Sequence, residues 1–283
     1  MEAKRLESLS RANQVQRFFV HFLLILGSIA MLFPFLWMVS TSLKSPEDML
    51  SSSLNLIPSQ FMWRNYLDAW NAQPFARYFL NTIIVAVVTV GCQLFFSSLA
   101  AYAFSFFHFP FKNFIFIALL GTMMIPQQAL LVPDYVILAN LRWLDTYLAL
   151  IVPFTASVYS VFFFRQFFMT LPRDLYEAAV VDGCSHFGFY FRILLPLSRP
   201  PMLTLGIFSF LGSWNSFLWP LIVTNSTELR VLQVGLAYFL SEAGTEWGLL
   251  MAASTFSIIP LVIGYLIVQK RFVENQAMTG LKE

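Results

Sequence analysis

"EAAVVDGCSHFGFYFRILLPLSRP", Glu177 to Pro200, interrupts a chain in which only 11% of residues are charged. It sets Glu177, Asp182, His186, Arg192 and Arg199 between two long apolar runs. Its local signals are helical. Asp174 stands at a capping position with Glu177 three residues on, an acidic form of the capping box. Leu175, Ala178 and Ala179 mark one face, with Tyr176 and Val180 beside it. Gly183 is placed to stop this helix in the left-handed conformation. Ser185 can cap a second short helix, on which Phe187 and Phe191 fall four apart. Pro172 closes the apolar run on the N-terminal side, and Pro196, Pro200 and Pro201 reset the chain for the run on the C-terminal side. The expected object is a helix–Gly–helix elbow. Two alanines would let a partner's backbone come close, and Glu177 and Asp182 would offer charge to basic or amide groups. An amphipathic connector lying in a membrane interface carries the same signals.

The flanking runs decide the fold class. The chain of 283 residues is 58% hydrophobic and 17% aromatic, against about 45–50% apolar in soluble domains. A bilayer core of about 30 Å needs roughly 20 apolar helical residues. Six segments answer to this: 18–39, 80–104, 114–131, 148–164 (extending to about Phe168), 202–222 and 249–268. The first outruns the 7–15 apolar residues usual in a secretory signal and is read as a retained anchor. With the N-terminus inside, the inner segments hold Lys4, Arg5, Arg11, Arg17, Lys112, Arg165, Arg173, Arg192, Arg199, Lys270, Arg271 and Lys282. The outer ones hold Lys44, Arg64, Arg77, Arg142 and Arg230, twelve cations against five. The expected architecture is all-α, with six transmembrane helices, both termini cytoplasmic, and a cytoplasmic elbow at about 171–197.

Composition also excludes functions. No Asp, Glu, Lys or Arg stands mid-span, so the ionisable groups that ion-coupled carriers and proton relays use are missing. His21 sits at the cytoplasmic end of the first span. There is no G-x-x-x-x-G-K-[ST] loop and no Ser-His-Asp, H-E-x-x-H or C-x-x-C pattern. Cys92 and Cys184 are read as free thiols, not a disulfide or metal pair. A net charge of +2 gives no footprint for nucleic acid. Uphill transport by such a chain needs energy from another polypeptide. Pro34, Pro126, Pro153, Pro220 and Pro260, in or near the spans, suit helices that kink within a packed bundle.

Glu177-Ala178-Ala179, Gly183, Ile193 and Leu195-Pro196 stand at the spacing E-A-A, three residues, G, nine residues, I, one residue, L-P. This resembles the signature loop of the membrane subunits of bacterial ATP-binding-cassette importers. "RYFLNTIIVA" (77–86), "MMIPQQALLVPDYVILANL" (123–141), "DTYLALIVPF" (145–154), "SWNSFLWPLIV" (213–223) and "EWGLLMAAS" (246–254) are similar to the carbohydrate-importer branch, and within it to the smaller maltose-type permease subunit. The resemblance implies a single permease domain over 1–283 with type I importer architecture. The implied partners are a second homologous permease subunit, two ATPase subunits carrying ATP and Mg, an extracytoplasmic solute-binding protein, a sugar and membrane lipid. This chain itself would be non-catalytic and bind no cofactor. The resemblance makes Glu177 and Gly183 the ATPase-coupling residues, with Ala178, Ala179 and Asp182 beside them. The tail 269–283 is similar to the family's end, with Asn275-Gln276 where a glycine is common.

Sugars require hydrogen-bonding groups and aromatic faces. Asn215, Gln127 and Gln128, beside kinks, are the candidate pore-lining residues, with Trp214 and Asn81. Gln93, Ser97 and Ser98 are read as helix–helix hydrogen bonds. The outer segment 224–245 is either a probe for a binding protein or a plain connection. A permease for glycerol-phosphate-type solutes, one for amino acids or peptides, and an ion-independent secondary carrier stand as alternatives; the carrier is disfavoured by the lack of an internal repeat.

Overall fold

The computed structural model describes residues 2–50, 55–241 and 244–279; Lys282, and residues 242–243 of the outer segment, lie outside these. In chain order the helices are α1 (Glu2–Ser42), α2 (Pro46–Leu50), α3 (Arg64–Ala72), α4 (Phe75–Phe106), α5 (Lys112–Thr122), α6 (Gln127–Asn140), α7 (Tyr147–Ile151), α8 (Val158–Thr170), α9 (Asp174–Val181), α10 (His186–Phe189), α11 (Leu195–Leu197), α12 (Arg199–Trp214), α13 (Leu218–Val223), α14 (Leu232–Leu236) and α15 (Trp247–Thr279). Leu240–Ser241 (β1) and Gly244–Thr245 (β2) pair antiparallel, a small ribbon in an otherwise helical chain.

Four stretches are long and apolar enough to cross a bilayer unaided: Gln16–Ser42, Phe75–Phe106, Tyr147–Thr170 and Trp247–Ile267. Two bent pairs raise the number to as many as six where each pair counts as one span. Two of the expected spans are broken. Residues 114–131 are not one helix: α5 and α6 meet at 98°, because Pro126 has no N–H to continue the ladder and takes an extended ψ of 131° before α6. Residues 202–222 are not one helix either. Asn215 caps α12, and the remainder is the separate α13. Backward from α12 the chain bends by 74° into the elbow, at the cluster of Pro196, Pro200 and Pro201. Pro34 and Pro260, by contrast, lie within unbroken helices.

The chain divides into two compact units. The first comprises Met1–Ala72 and Phe239–Pro260. Here Asn65 of α3 caps the end of α1, donating from Nδ2 to the carbonyls of Ser42 (2.9 Å) and Lys44 (3.1 Å) that a helix C-terminus leaves open. Trp70 meets Phe256 edge-on at 5.3 Å. None of the apolar window of α1 is buried within the chain.

The second unit comprises Gln73–Tyr238 and Leu261–Glu283. Its axis is α4, which packs against α8 and α12. The buried face of α4 recurs every three or four residues through Tyr78, Thr82, Val85 and Thr89, and again through Ser97, Ala101 and Phe104. Small residues on that face let helices approach closely, as in lipid they must. Polar ties cross the same seam: Gln93 donates to Ser160 Oγ (2.9 Å), Ser97 meets the backbone of Ser157, and the hydroxyls of Ser98 and Tyr190 share a 2.7 Å hydrogen bond.

Candidate functional site

The elbow is fixed on its inner side. Gly183 stands at φ +76° just past the end of α9. Its N–H reaches the carbonyl of Val180 (3.0 Å) and that of Cys184 reaches Ala179 (2.9 Å), the paired bonds of a Schellman stop. Ser185 then caps α10, accepting from the Gly188 N–H at 3.1 Å. A Cβ at Gly188 would stand 2.9 Å from Cys184 Sγ and 3.1 Å from Ser185 Oγ, so a side chain there displaces both. The acidic capping box does not form. Arg173 occupies the N-cap without a side-chain bond and Asp174 falls inside α9, so both acids contribute only charge near the positive end of the helix dipole.

An aromatic latch joins the elbow to the end of α4. Tyr176 meets Phe106 at 5.3 Å and Phe189 edge-on at 5.0 Å. Tyr176 Oη and His186 Nδ1 share a 2.8 Å hydrogen bond, and Tyr102 Oη donates to the His186 carbonyl (3.1 Å). A π-helical turn at Tyr190–Leu194 carries the chain out, with Tyr190 and Leu194 buried.

The two alanines have different roles. Ala179 is buried in the chain's own aromatic core, so only Ala178 is exposed to an incoming backbone. Glu177, Asp182 and Gly183 are exposed too, and among the described residues neither carboxylate has a side-chain hydrogen bond or an ion pair. Val180, Val181 and Phe187 add apolar surface; Val181 is 85% exposed.

At the opposite end of the spans the polar residues are saturated. Asn81 is fully buried; its Nδ2 donates to the carbonyls of Glu228 (2.7 Å) and Arg230 (2.9 Å), and its Oδ1 accepts from Tyr147 Oη (2.7 Å). Asp145 Oδ1 accepts from the N–H groups of Asn225 (2.9 Å) and Ser226 (3.0 Å) and from Ser226 Oγ (2.9 Å). The Ser226 backbone N–H, foremost, holds this carboxyl below its usual range. Arg77 adds a bond to the Glu228 carbonyl. The segment 224–231 is thus clamped from α4 and from the turn before α7, and Asn81 belongs to the clamp.

Between these ends α4, α6 and α12 enclose a cleft of about 300 Å³, lined by Thr89, Gln93, Gln127, Ser209, Ser213 and Ser216 beside Phe154 and Trp219. Every lining residue is uncharged. Of the pore-lining candidates, Gln127 lies here. Gln128 is exposed beside it in the chain. Trp214 is buried against Phe79 and Phe210. Asn215 donates to Leu211 and lies 3.4 Å from Gln233. Thr89, Ser209, Ser213 and Ser216 are not among the expected pore-lining residues. Their signal is spacing: 209 and 213 share one helical face, as do 82, 89 and 93, and Ser216 follows in the break after α12.

Residues 8–276 match the family described as binding-protein-dependent transport system inner membrane component. Among curated proteins, the arabinooligosaccharides transport system permease protein AraQ of Bacillus subtilis is 37% identical over 258 residues, 90% of this chain and 92% of that one. The probable ABC transporter permease protein YurM of the same organism is 38% identical, covering 92% and 86%. The sn-glycerol-3-phosphate transport system permease protein UgpE of Yersinia pestis is 36% identical, covering 91% and 94%. A chain in the crystal structure of a bacterial ABC transporter involved in import of the acidic polysaccharide alginate superposes with a TM-score of 0.82 at 22% identity, over 93% of this chain and 98% of that one, which bears on the fold alone.

Proposed function

Because the chain belongs to the family of inner-membrane components of binding-protein-dependent transport systems, we propose that it is the lever and half of the pathway of an ATP-driven importer of neutral, polyhydroxylated solutes such as di- or oligosaccharides. The observation that carries the coupling part is the elbow: its inner face is locked into the chain's own aromatic core, while Glu177, Ala178, Asp182 and Gly183 are exposed at its outer edge. A rigid element with an open edge transmits displacement. Ala179 serves from the inside, as the residue through which α9 grips the core.

ATP and Mg belong on two partner ATPase subunits, whose closure moves the elbow. Hydrolysis drives transport only if the two transporter states differ in how well they hold the loaded ATPases. The displacement then runs through Tyr176, Phe189 and Tyr102 into α4 and opens or closes the cleft beside it. A second permease subunit completes the pathway, an extracytoplasmic binding protein delivers solute from above, and the unpacked apolar face of α1 is available to that subunit or to lipid.

Hydroxyl and amide groups over aromatic faces suit sugars, and an uncharged lining favours a neutral solute over a sugar phosphate, whose charge needs a cation to replace its water. Assembled complex in proteoliposomes tests the coupling. Glu177→Lys and Gly183→Pro should insert normally and lose substrate-stimulated ATP hydrolysis; normal uptake by both would overturn the lever reading.

A further inference from the structure

Where α4 gives way to α5, and α8 ends, the second unit forms a pocket of about 530 Å³. Lys112, Arg165 and Arg173 converge on it, together with His108 and Asn113. Like charges brought together repel and favour an anion between them. Among the described residues the only ion pair is Arg64 with Asp68, elsewhere in the chain, so none of these three cations meets a carboxylate. Their donors are not used up. Lys112 uses one ammonium hydrogen on the Phe107 carbonyl (2.8 Å). Arg165 uses Nε–H on the Phe104 carbonyl (3.4 Å) and lies 4.1 Å over the Phe116 ring, which leaves its terminal N–H groups. Arg173 is exposed.

Apolar side chains flank the cations. Phe111, Phe114 and Met169 line the pocket and stay exposed. Phe111 is held at φ 59°, a conformation that bulky side chains rarely adopt. Cations at the ends of two packed membrane helices, with exposed rings beside them, match a molecule that carries an anionic head on an apolar tail.

We propose that this pocket binds the phosphate headgroup of an anionic phospholipid of the cytoplasmic leaflet. Lys112, Arg165 and Arg173 hold the phosphate, and Phe111, Phe114 and Met169 lie along the first carbons of the acyl chains. The choice of leaflet rests on the lysine and arginine bias along the chain. Arg173 is also the N-cap of α9, so an occupied pocket steadies the entry to the elbow. The proposal is independent of which solute is carried.

The test uses the assembled transporter in mild detergent, exposed to equal amounts of phosphatidylglycerol and phosphatidylcholine with the same acyl chains. Retained lipid is counted by native mass spectrometry. The wild type should retain phosphatidylglycerol selectively. Lys112→Gln with Arg165→Gln should lower that retention about 25-fold, at roughly fivefold for each basic side chain, and leave phosphatidylcholine unchanged. Lys112→Arg should restore it. Arg173→Gln, on the exposed side, gives a milder loss should the double variant fail to assemble. Undiminished retention in these variants overturns the proposal. So does inorganic phosphate displacing the lipid at equal concentration, which would make this a free-anion site. Loss of the ATPase chains from Arg173→Gln with lipid retention intact would make it a protein surface instead. Glu177→Lys should keep its lipid, which separates failure here from failure of the coupling reading.

Discussion

The elbow at 174–189 and the clamp around 224–231 look alike in sequence: each is a polar interruption between apolar runs. In the structure they are opposites. The polar groups of the clamp are taken up by the chain itself, with Asn81 making three hydrogen bonds and Asp145 another three. At the outer edge of the elbow, Glu177 and Asp182 bond to nothing among the described residues. In a chain adapted to lipid, a polar side chain either completes the fold or reaches for another molecule. The hydrogen-bond census separates the two cases where composition does not.

Four measurements would break or sharpen that contrast. The largest effect belongs to the clamp. Asn81→Leu removes the donor to the Arg230 carbonyl and the acceptor of the Tyr147 hydroxyl, while Arg77 keeps the Glu228 carbonyl, at about 1–3 kcal/mol for each orphaned group that stays buried. We expect a marked fall in melting temperature in detergent and rapid proteolysis within 224–231; an unchanged protein would mean that the clamp is ornamental. Gly188→Val comes next. It forces the Cys184 and Ser185 side chains aside at about 1–3 kcal/mol, and should loosen the elbow, read as faster hydrogen exchange over 184–190, while the clamp stays protected. Third is the alanine pair. Ala178→Leu should leave the melting temperature unchanged and weaken ATPase docking about tenfold, near 1.4 kcal/mol, whereas Ala179→Leu should lower the melting temperature as well. Equal behaviour of the two would erase the distinction between inside and edge.

The smallest effect is one of pH. The carboxyl of Asp145 is depressed, chiefly by the Ser226 N–H. Its contribution is therefore complete above the ordinary carboxylate value of 3.8 and is lost as pH falls through the lower folded value. Proteolysis of the clamped segment should be flat from neutrality down to about pH 5 and rise only below about pH 4. Asp145→Asn should flatten that rise.

Much of the molecule is legible in its sequence because the causes are local. Gly183 ends α9 and Ser185 caps α10, each by chemistry that a short window contains; Gln93, Ser97 and Ser98 are legible as helix–helix ties from their polarity within an apolar run, though their partners lie 60 or more residues away. The features that sequence does not disclose depend on partners distant along the chain. Asn81 reads as a pore residue because the carbonyls that occupy it lie about 150 residues away. Ala179 turns inward into a cluster that also holds Tyr102, Phe164 and Phe168, residues that its own sequence window does not contain. The serines at 209 and 213 on α12 and at 216 beyond it carry meaning only once α4 presents Thr89 and Gln93 to the same space. The 98° turn is announced by Pro126, yet the hydropathy of 114–131 is continuous across it, and a continuous apolar run reads as a single rod.

That turn has an electrical consequence. Neither α5 nor α6 alone is long enough to span a bilayer; the N–H groups of Met123, Met124 and Ile125 are met by the carbonyls of Leu120, Gly121 and Thr122, but the carbonyls that follow have no helical ladder to enter before Pro126 and, within hydrocarbon, would need water or protein beside them. A pair bent in this way leaves a thinner insulating layer than one straight span would. A cysteine at Met124, whose side chain is 86% exposed, should be open to small hydrophilic thiol reagents in one state of the working transporter and shut to them in the other, so that the insulating barrier itself serves as the gauge of the cycle.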